Sequence, residues 1–320
     1  MRDAPKTLQE AILYFSDFEN CKAFMTELRW SDGVIRCPRC GASKVTWLAK
    51  ARVWKCYAKH ERPTFTLKTG TIFEDSPIGL EKWLPAVWLL VTCKNGISSY
   101  EVARDLGISQ KSAWHMMHRI RFALHHGSFD KMLSGEVEVD ETFIGGKARN
   151  MHVSKRARRI TGTGGNDKTP VMGILERGGK VRTVVVPNRR KKALQAQVRK
   201  HVEAGSALYS DALKSYNGLE GEYAHQVIDH AAAYVDGKIH TNGLENFWSL
   251  LKRSISGTYV SVEPFHLWRY LDEQAYRYNN RKEMDDFDRF KLAMSQVVGK
   301  RLTWDVLTGK QQPDNPPSVN

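Results

Sequence analysis

Three acidic residues, in separate segments of this 320-residue chain, have the types and settings that divalent-metal chemistry uses. In Glu136-Val-Glu-Val-Asp140-Glu141-Thr-Phe-Ile, strand alternation puts Val137 and Val139 on one face and Glu136, Glu138 and Asp140 on the other. Acids lined up in this way repel one another unless cations or basic groups compensate. In Ala207-Leu-Tyr-Ser-Asp211 a second aspartate closes a short hydrophobic strand. In Thr241-Asn242-Gly-Leu-Glu245-Asn-Phe-Trp248, Asn242 and Glu245 are three apart and share a helical face. Lys252 lies two turns beyond Glu245, with Arg253 beside it. Two strand-end aspartates and a helical glutamate can hold two hard divalent cations roughly 4 Å apart. One cation then activates an attacking oxygen and the other stabilises the leaving oxygen of a phosphodiester. Mg²⁺ suits such a set, because hard oxygen ligands match it and leave water positions open. Taken singly, an aspartate after a strand is most often a turn residue; the conjunction with three further features gives these acids weight.

The first of those features is Cys37-Pro-Arg-Cys40-Gly, followed after fifteen residues by Cys56 and then by His60. This spacing fits a tetrahedral zinc ribbon, with each ligand pair on a tight knuckle and a hairpin between them. Gly41 lets the backbone turn after the second cysteine. His60 stands where cysteine is more usual, one residue later than usual, so the alternative is a loop histidine beside a three-coordinate or absent zinc. A redox CxxC is a poorer match, since no thioredoxin-like βαβ pattern surrounds it. The expected role of the zinc is structural, fixing a small domain without its own core. Cys21 and Cys93 lie in apolar helical patterns and read as core thiols.

The second feature is a helix-turn-helix pattern over 97–121, with Gly107 at the turn and Ser109 as N-cap of the second helix. Val102, Ala103 and Leu106 are expected to face Ile108, Ala113, Met117 and Ile120. Gln110, Lys111, Ser112, His115 and Arg119 are then expected to point outward, as residue types that reach base edges and phosphates. An ordinary αα-hairpin is the bland alternative. His115, His118, His125 and His126 need no metal; solvated or DNA-facing positions explain them.

The third is charge. Lys plus Arg number 49 against 35 Asp plus Glu, a net +14. The whole excess falls between Lys147 and Lys200, where Asp167 and Glu176 are the only acids and Arg189, Arg190, Lys191 and Lys192 are consecutive. Such a stretch is the electrostatic footprint of a polyanion-binding surface; the bland alternative is a solvated basic face. A membrane-surface role fits less well, because no basic amphipathic helix with apolar aromatics is visible there. Mean hydropathy is −0.48, and no apolar run approaches the roughly 18 residues of a membrane span, which excludes an integral helical membrane protein. The opening residues lack a basic segment followed by a long apolar one. Five cysteines, an odd number, argue against a disulfide framework, so a reducing, cytoplasmic compartment is expected.

The elements that must position these groups follow from periodicity. Residues 1–30 form a helical segment, 31–76 the ribbon, and 77–130 the helix-turn-helix domain, with Trp83, Val87, Trp88, Leu90 and Val91 as a buried face. Residues 131–285 read as three strands, a helix over about 191–203, two further strands and two helices, an α/β pattern with a mixed sheet. Residues 286–320 form a helical extension ending in a polar, Pro-rich tail expected to be disordered.

The segments CPRCG, TGTIFEDSP, ISSYEVARDLGISQKSAWHMMHRIR, VEVDETFIGG, YSDALKSY, HTNGLENFWSLLKR and YNNR together resemble bacterial insertion-sequence transposases of the ISXO-like group. The resemblance covers about residues 10–310. It implies an RNase H-like catalytic domain of the DDE type behind a zinc ribbon, and Mg²⁺- or Mn²⁺-dependent cutting and joining of double-stranded DNA at terminal inverted repeats. By the same matching, Asp140, Asp211 and Glu245 stand at the three acids, and Lys252 at the basic residue that contacts DNA. Some members carry Asn at the third position, so Asn242 is the alternative to Glu245. The resemblance also implies element ends and target DNA as partners, a homo-oligomer in a synaptic complex, no membrane, and a bacterial, nucleoid-associated location. The rival readings are a zinc-ribbon and helix-turn-helix regulator without catalysis, and an RNase H-like nuclease without strand transfer.

Overall fold

The computed structural model describes residues 4–125, 131–146, 151–159, 168–228 and 240–311. Parts of the basic stretch (147–150 and 160–167), His126 and the expected disordered tail beyond 311 lie outside the described residues. The chain divides into two compact units, 1–125 with 283–320, and 126–282.

In the first unit, α1 (Leu8–Ser16) and α2 (Phe18–Arg29) are each started by a side-chain cap, Thr7 and Asp17. A three-stranded antiparallel sheet follows, β1 (Val45–Leu48), β2 (Val53–Cys56) and β3 (Thr64–Phe65). Next come α3 (Leu80–Thr92), α4 (Ser99–Leu106) and α5 (Gln110–Leu124). α3 is buried along almost its whole length, as the apolar run around Trp83 and Trp88 predicts.

In the second unit the strands are β4 (Glu136–Ile144), β5 (Thr169–Glu176), β6 (Val181–Val185), β7 (Ala207–Asp211) and β8 (Ala224–Ile228). The helices are α6 (Val153–Arg159), α7 (Lys191–His201), α8 (Asn242–Arg253) and α9 (Leu267–Asn279). The sheet order is β6-β5-β4-β7-β8. β4, β5 and β6 pair antiparallel, whereas β4–β7 and β7–β8 are parallel, which makes the predicted mixed sheet. Alternation sorts the side chains: Val137, Val139, Met172 and Ile174 join Leu194 and Val198 of α7 in one core. Val171, Leu175 and Val181 join Leu244, Phe247, Trp248 and Leu251 of α8 and Leu267 and Leu271 of α9 in the other. Helices thus cover both faces, and Glu138 and Asp140 belong to the face under α8.

The chain ends in the first unit with α10 (Asp286–Ser295) and α11 (Trp304–Leu307). Phe290 of α10 is fully buried, with its ring 5.4 Å from Phe24 and 5.3 Å from Trp88. The C-terminal extension therefore completes the core of the N-terminal helices.

Candidate functional site

β4 and β7 run parallel with Glu138 opposite Tyr209. Continued two residues, that register sets Asp140 alongside Asp211, both half-buried. α8 packs on the same face. The Trp248 indole N–H donates to Asp140 Oδ2 at 2.9 Å, and the Glu141 amide to Oδ1 at 2.8 Å. This approach depends on Gly173, the β5 partner of Asp140: a Cβ there would come within 2.6 Å of the indole ring. Burial, reinforced by the charges of Asp211 and Glu245, pushes the Asp140 carboxyl up to about 6 despite the Trp248 bond. Asp211 Oδ1 accepts the Leu213 amide at 3.1 Å, turning the chain out of the strand. Glu245 is exposed in the first turn of α8, close enough for its charge to act on Asp140. Asn242 is exposed at the first position of that helix, and Lys252 and Arg253 are exposed in its last turn. The carboxylates stay more open than the ribbon ligands: among the described residues, only the ribbon group brings three or more ligand atoms within 4.8 Å of one another.

Glu141 is a further acid at the site, one to which its sequence position assigns no role. Burial pushes its carboxyl up to about 7; it accepts the hydroxyl of the fully buried Tyr216 and feels the charges of Asp211 and Asp140. The available signal was a second acid directly following the strand aspartate, where alternation turns it to the opposite face.

Arg189, Arg190, Lys191 and Lys192 are all exposed at the start of α7. The Arg189 guanidinium lies 4.6 Å over the Phe143 ring, its carbonyl accepts the Ser215 hydroxyl at 2.6 Å, and its charge favours the ionised form of Glu141. The basic row therefore begins beside the acids. Not every cation of the stretch faces out: Arg182 is 2% exposed and donates to the Lys131 carbonyl, and Arg177 pairs with Glu138 at 2.9 Å. Those two charges serve the fold.

In the ribbon, Cys37 Sγ lies 3.7 Å from His60 Nε2 and Cys40 Sγ lies 3.7 Å from Cys56 Sγ. Metal–sulfur bonds of about 2.3 Å in a tetrahedron put neighbouring sulfurs about 3.8 Å apart, so this donor set fits zinc. Gly41 has φ +76°, the left-handed turn its position predicts; its own amide donates to the Cys37 carbonyl, while the Ala58 amide donates to Cys56 sulfur at 3.4 Å. Cys21 is a buried core thiol, as expected, pushed up to about 12 by burial.

The helix-turn-helix forms with Gly107 left-handed at φ 59° and Ser109 capping α5 through the Ser112 amide. The expected outward face needs correction. Arg119 is buried, donates to the Glu74 carbonyl and lies 5.4 Å over Trp83. His118 is also fully buried, and His115 is half-buried, 5.4 Å from the ring of Trp304. Gln110 is half-buried and donates to Ser99 Oγ at 2.9 Å. Lys111 remains exposed, its ammonium 4.8 Å over Trp304. The physical reason is enclosure: neighbouring segments wrap the C-terminal half of α5 on all sides, so only its first turn keeps a solvent face.

The expected strand-end position holds for Asp211 but not for Asp140, which sits in the middle of β4 because that strand continues to Ile144 in pairing with β5. An RNase H-like sheet with these aspartates on adjoining strands, in a chain that also carries a Cys3His ribbon and a helix-turn-helix, defines the transposase class. A profile of the ISXO2-like transposase domain matches residues 132–279, and one of the transposase zinc-ribbon domain matches residues 16–58. The chain belongs to the ISXO2-like transposase family. It is 29% identical over 246 residues to an uncharacterized protein in transposable element ISH50 of Halobacterium salinarum, covering 72% of this chain and 81% of that one. It is 34% identical over 102 residues to an uncharacterized transposase-like protein of Haemophilus influenzae, covering 32% of this chain and 82% of that one. No solved structure matches. Among the described residues, no helix is long and apolar enough to cross a membrane.

Proposed function

We propose that this insertion-sequence transposase binds the terminal inverted repeats of its element, hydrolyses a phosphodiester there, and uses the freed 3′-hydroxyl to attack target DNA. The observation that carries the reading is the parallel β4–β7 register, which aligns Asp140 with Asp211 beneath the helix bearing Glu245. Asp140, Asp211 and Glu245 are the ligands for Mg²⁺ or Mn²⁺. Glu245 is preferred to Asn242 as the third because a carboxylate is the better ligand for a hard divalent cation, and its charge is near enough to act on Asp140. When bound, two such cations supply an activated attacking oxygen and a stabilised leaving oxygen. Trp248 fixes the rotamer of Asp140 and shields one side of it from water. Arg189 and the adjoining Arg190, Lys191 and Lys192 hold the phosphate backbone on one side, and Lys252 and Arg253 on the other. The ribbon (31–76) and the helix-turn-helix (77–130) recognise the ends, with Gln110 and Lys111 at the start of α5 as the reading residues. Residues 131–285 form the catalytic domain. Two ends held together call for a homo-oligomer, and the resemblance to bacterial insertion-sequence transposases, with DNA as substrate, supports a nucleoid-associated location.

The test uses purified full-length protein with end-containing duplex and Mg²⁺. Wild type is expected to cleave and to join the freed end to a plasmid, while Asp211→Asn does neither yet binds the duplex nearly as well. Cleavage without joining supports the nuclease reading. Binding without cleavage by the wild type supports the regulator.

A further inference from the structure

Glu138 precedes Asp140 by two residues on the same face of β4, but it is only 1% exposed. Both its oxygens are engaged. Oε1 takes the Arg177 Nε–H at 2.9 Å and lies 3.4 Å from His240 Nδ1, and Oε2 accepts the Leu244 amide in the first turn of α8 at 3.1 Å. Arg177 also donates to the His240 carbonyl at 2.7 Å, and its guanidinium lies 4.0 Å over the ring of Tyr209 on β7. Gly243 makes the approach possible: a Cβ there would stand 2.7 Å from Glu138 Oε2 and 2.3 Å from Leu175.

One turn further along α8, Trp248 donates to Asp140. Leu244 and Trp248 are four residues apart, a rise of about 6 Å on a helix. Glu138 and Asp140 are two apart, about 6.6 Å on a strand. The spacings match, so the helix is fastened to the strand at two successive points, and Glu245 directly follows the first. A carboxylate at a helix N-terminus is favoured by the free amides and the dipole there. A buried ion pair adds little net stability, and in some proteins its effect is instead to select one arrangement of the parts it joins.

We propose that Glu138, together with Arg177, is a positioning group that fixes α8 so that Glu245 reaches the Asp140–Asp211 pair, and thereby sets the affinity of the site for divalent cations. Mutual repulsion of the three carboxylates opposes that reach, and the fastening offsets it. Glu138 itself binds no metal. The inference rests on Glu245 being a metal ligand, as proposed above.

The test is an electron paramagnetic resonance titration of free Mn²⁺ with full-length protein and no DNA. Four proteins are compared: wild type, Glu245→Gln, Glu138→Gln and the double variant. Glutamine keeps the length and the bond from the Leu244 amide but breaks the ion pair with Arg177. Glu245→Gln and Glu138→Gln are each expected to weaken Mn²⁺ binding by about tenfold, and the double variant to bind no more weakly than Glu245→Gln alone. Wild-type affinity in Glu138→Gln overturns the proposal. So does full additivity in the double variant, which would mean that Glu138 acts by another route. Wild-type affinity in Glu245→Gln overturns the assignment of Glu245 itself, a failure distinct from that of the fastening. Near-UV circular dichroism checks folding; if Glu138→Gln does not fold, Arg177→Lys carries the comparison, with the same outcomes.

Discussion

Asp140 combines the properties expected of a working acid at the expense of the fold around it. Its carboxyl is raised to about 6 by burial and by its acidic neighbours, above the roughly 3.9 of an unfolded aspartate. Between those pH values the folded chain binds more protons than the unfolded one, so this group lowers stability as pH rises through that window. At pH 7, without metal, the ionised carboxylate is a net cost. Asp140→Asn is therefore expected to lose Mg²⁺-dependent cleavage and yet raise the metal-free Tm, by about 2–4 °C per kcal/mol relieved. The gain should grow from pH 4 to pH 6 and then level off, and differential scanning calorimetry of both proteins across that range measures it. A constant difference in Tm would mean that the substitution acts through packing against Trp248.

At the scale of elements, the ribbon and the helix-turn-helix were legible from ligand spacing and cap residues. Which face of α5 stays open was not. Arg119 has the spacing of a groove-facing residue, but its guanidinium donates to the Glu74 carbonyl and lies over Trp83. Arg119→Ala should lower stability by about 2 kcal/mol, seen as a reduced urea midpoint, and weaken binding to all DNA in proportion to the unfolded fraction. Lys111→Ala, which gives up only an exposed contact with Trp304, should lower stability by no more than about 1 kcal/mol and weaken binding to the element ends. A normal urea midpoint in Arg119→Ala with selective loss of end recognition would return that residue to the DNA interface. For the ribbon, purified protein should carry about one Zn²⁺ per chain, and Cys37→Ser or Cys40→Ser should lose the metal and local folding together. Elemental analysis alongside circular dichroism checks both.

For the whole molecule, the charge pattern makes the quantitative claim. If Arg189, Arg190, Lys191 and Lys192 track phosphates, each contact releases about one counterion and log K falls steeply with log[salt]. Replacing all four with Gln should flatten that slope by up to about four units and weaken binding to specific and random DNA alike. A basic face that serves only solubility predicts parallel slopes for the two proteins. Arg177 and Arg182, from the same basic run, are kept out of this test because their charges are spent inside the fold.

The sequence by itself determined the Cys3His spacing, the location of the basic excess and the order of the five strands and of α7 to α9 in the second unit, though not α6 between β4 and β5, and it offered the three acids as candidates. Each is a local signal, carried by residue type and by a period of two or of three to four residues. Only the tertiary structure decided what depends on contacts between distant segments. The parallel β4–β7 pairing aligns Asp140 with Asp211, two residues seventy-one positions apart in the chain. The buried Glu138 takes its counter-charge from Arg177, thirty-nine residues on, a partner that neither the alternation of β4 nor the basic run containing Arg177 names. Phe290 closes a core begun by Phe15 and Phe24, and Trp304 lies against the start of α5. The physical reason is common to all of these. Periodicity states which side of an element is apolar, but which charges on that side find partners depends on the segment packed against it, and no local pattern encodes that segment.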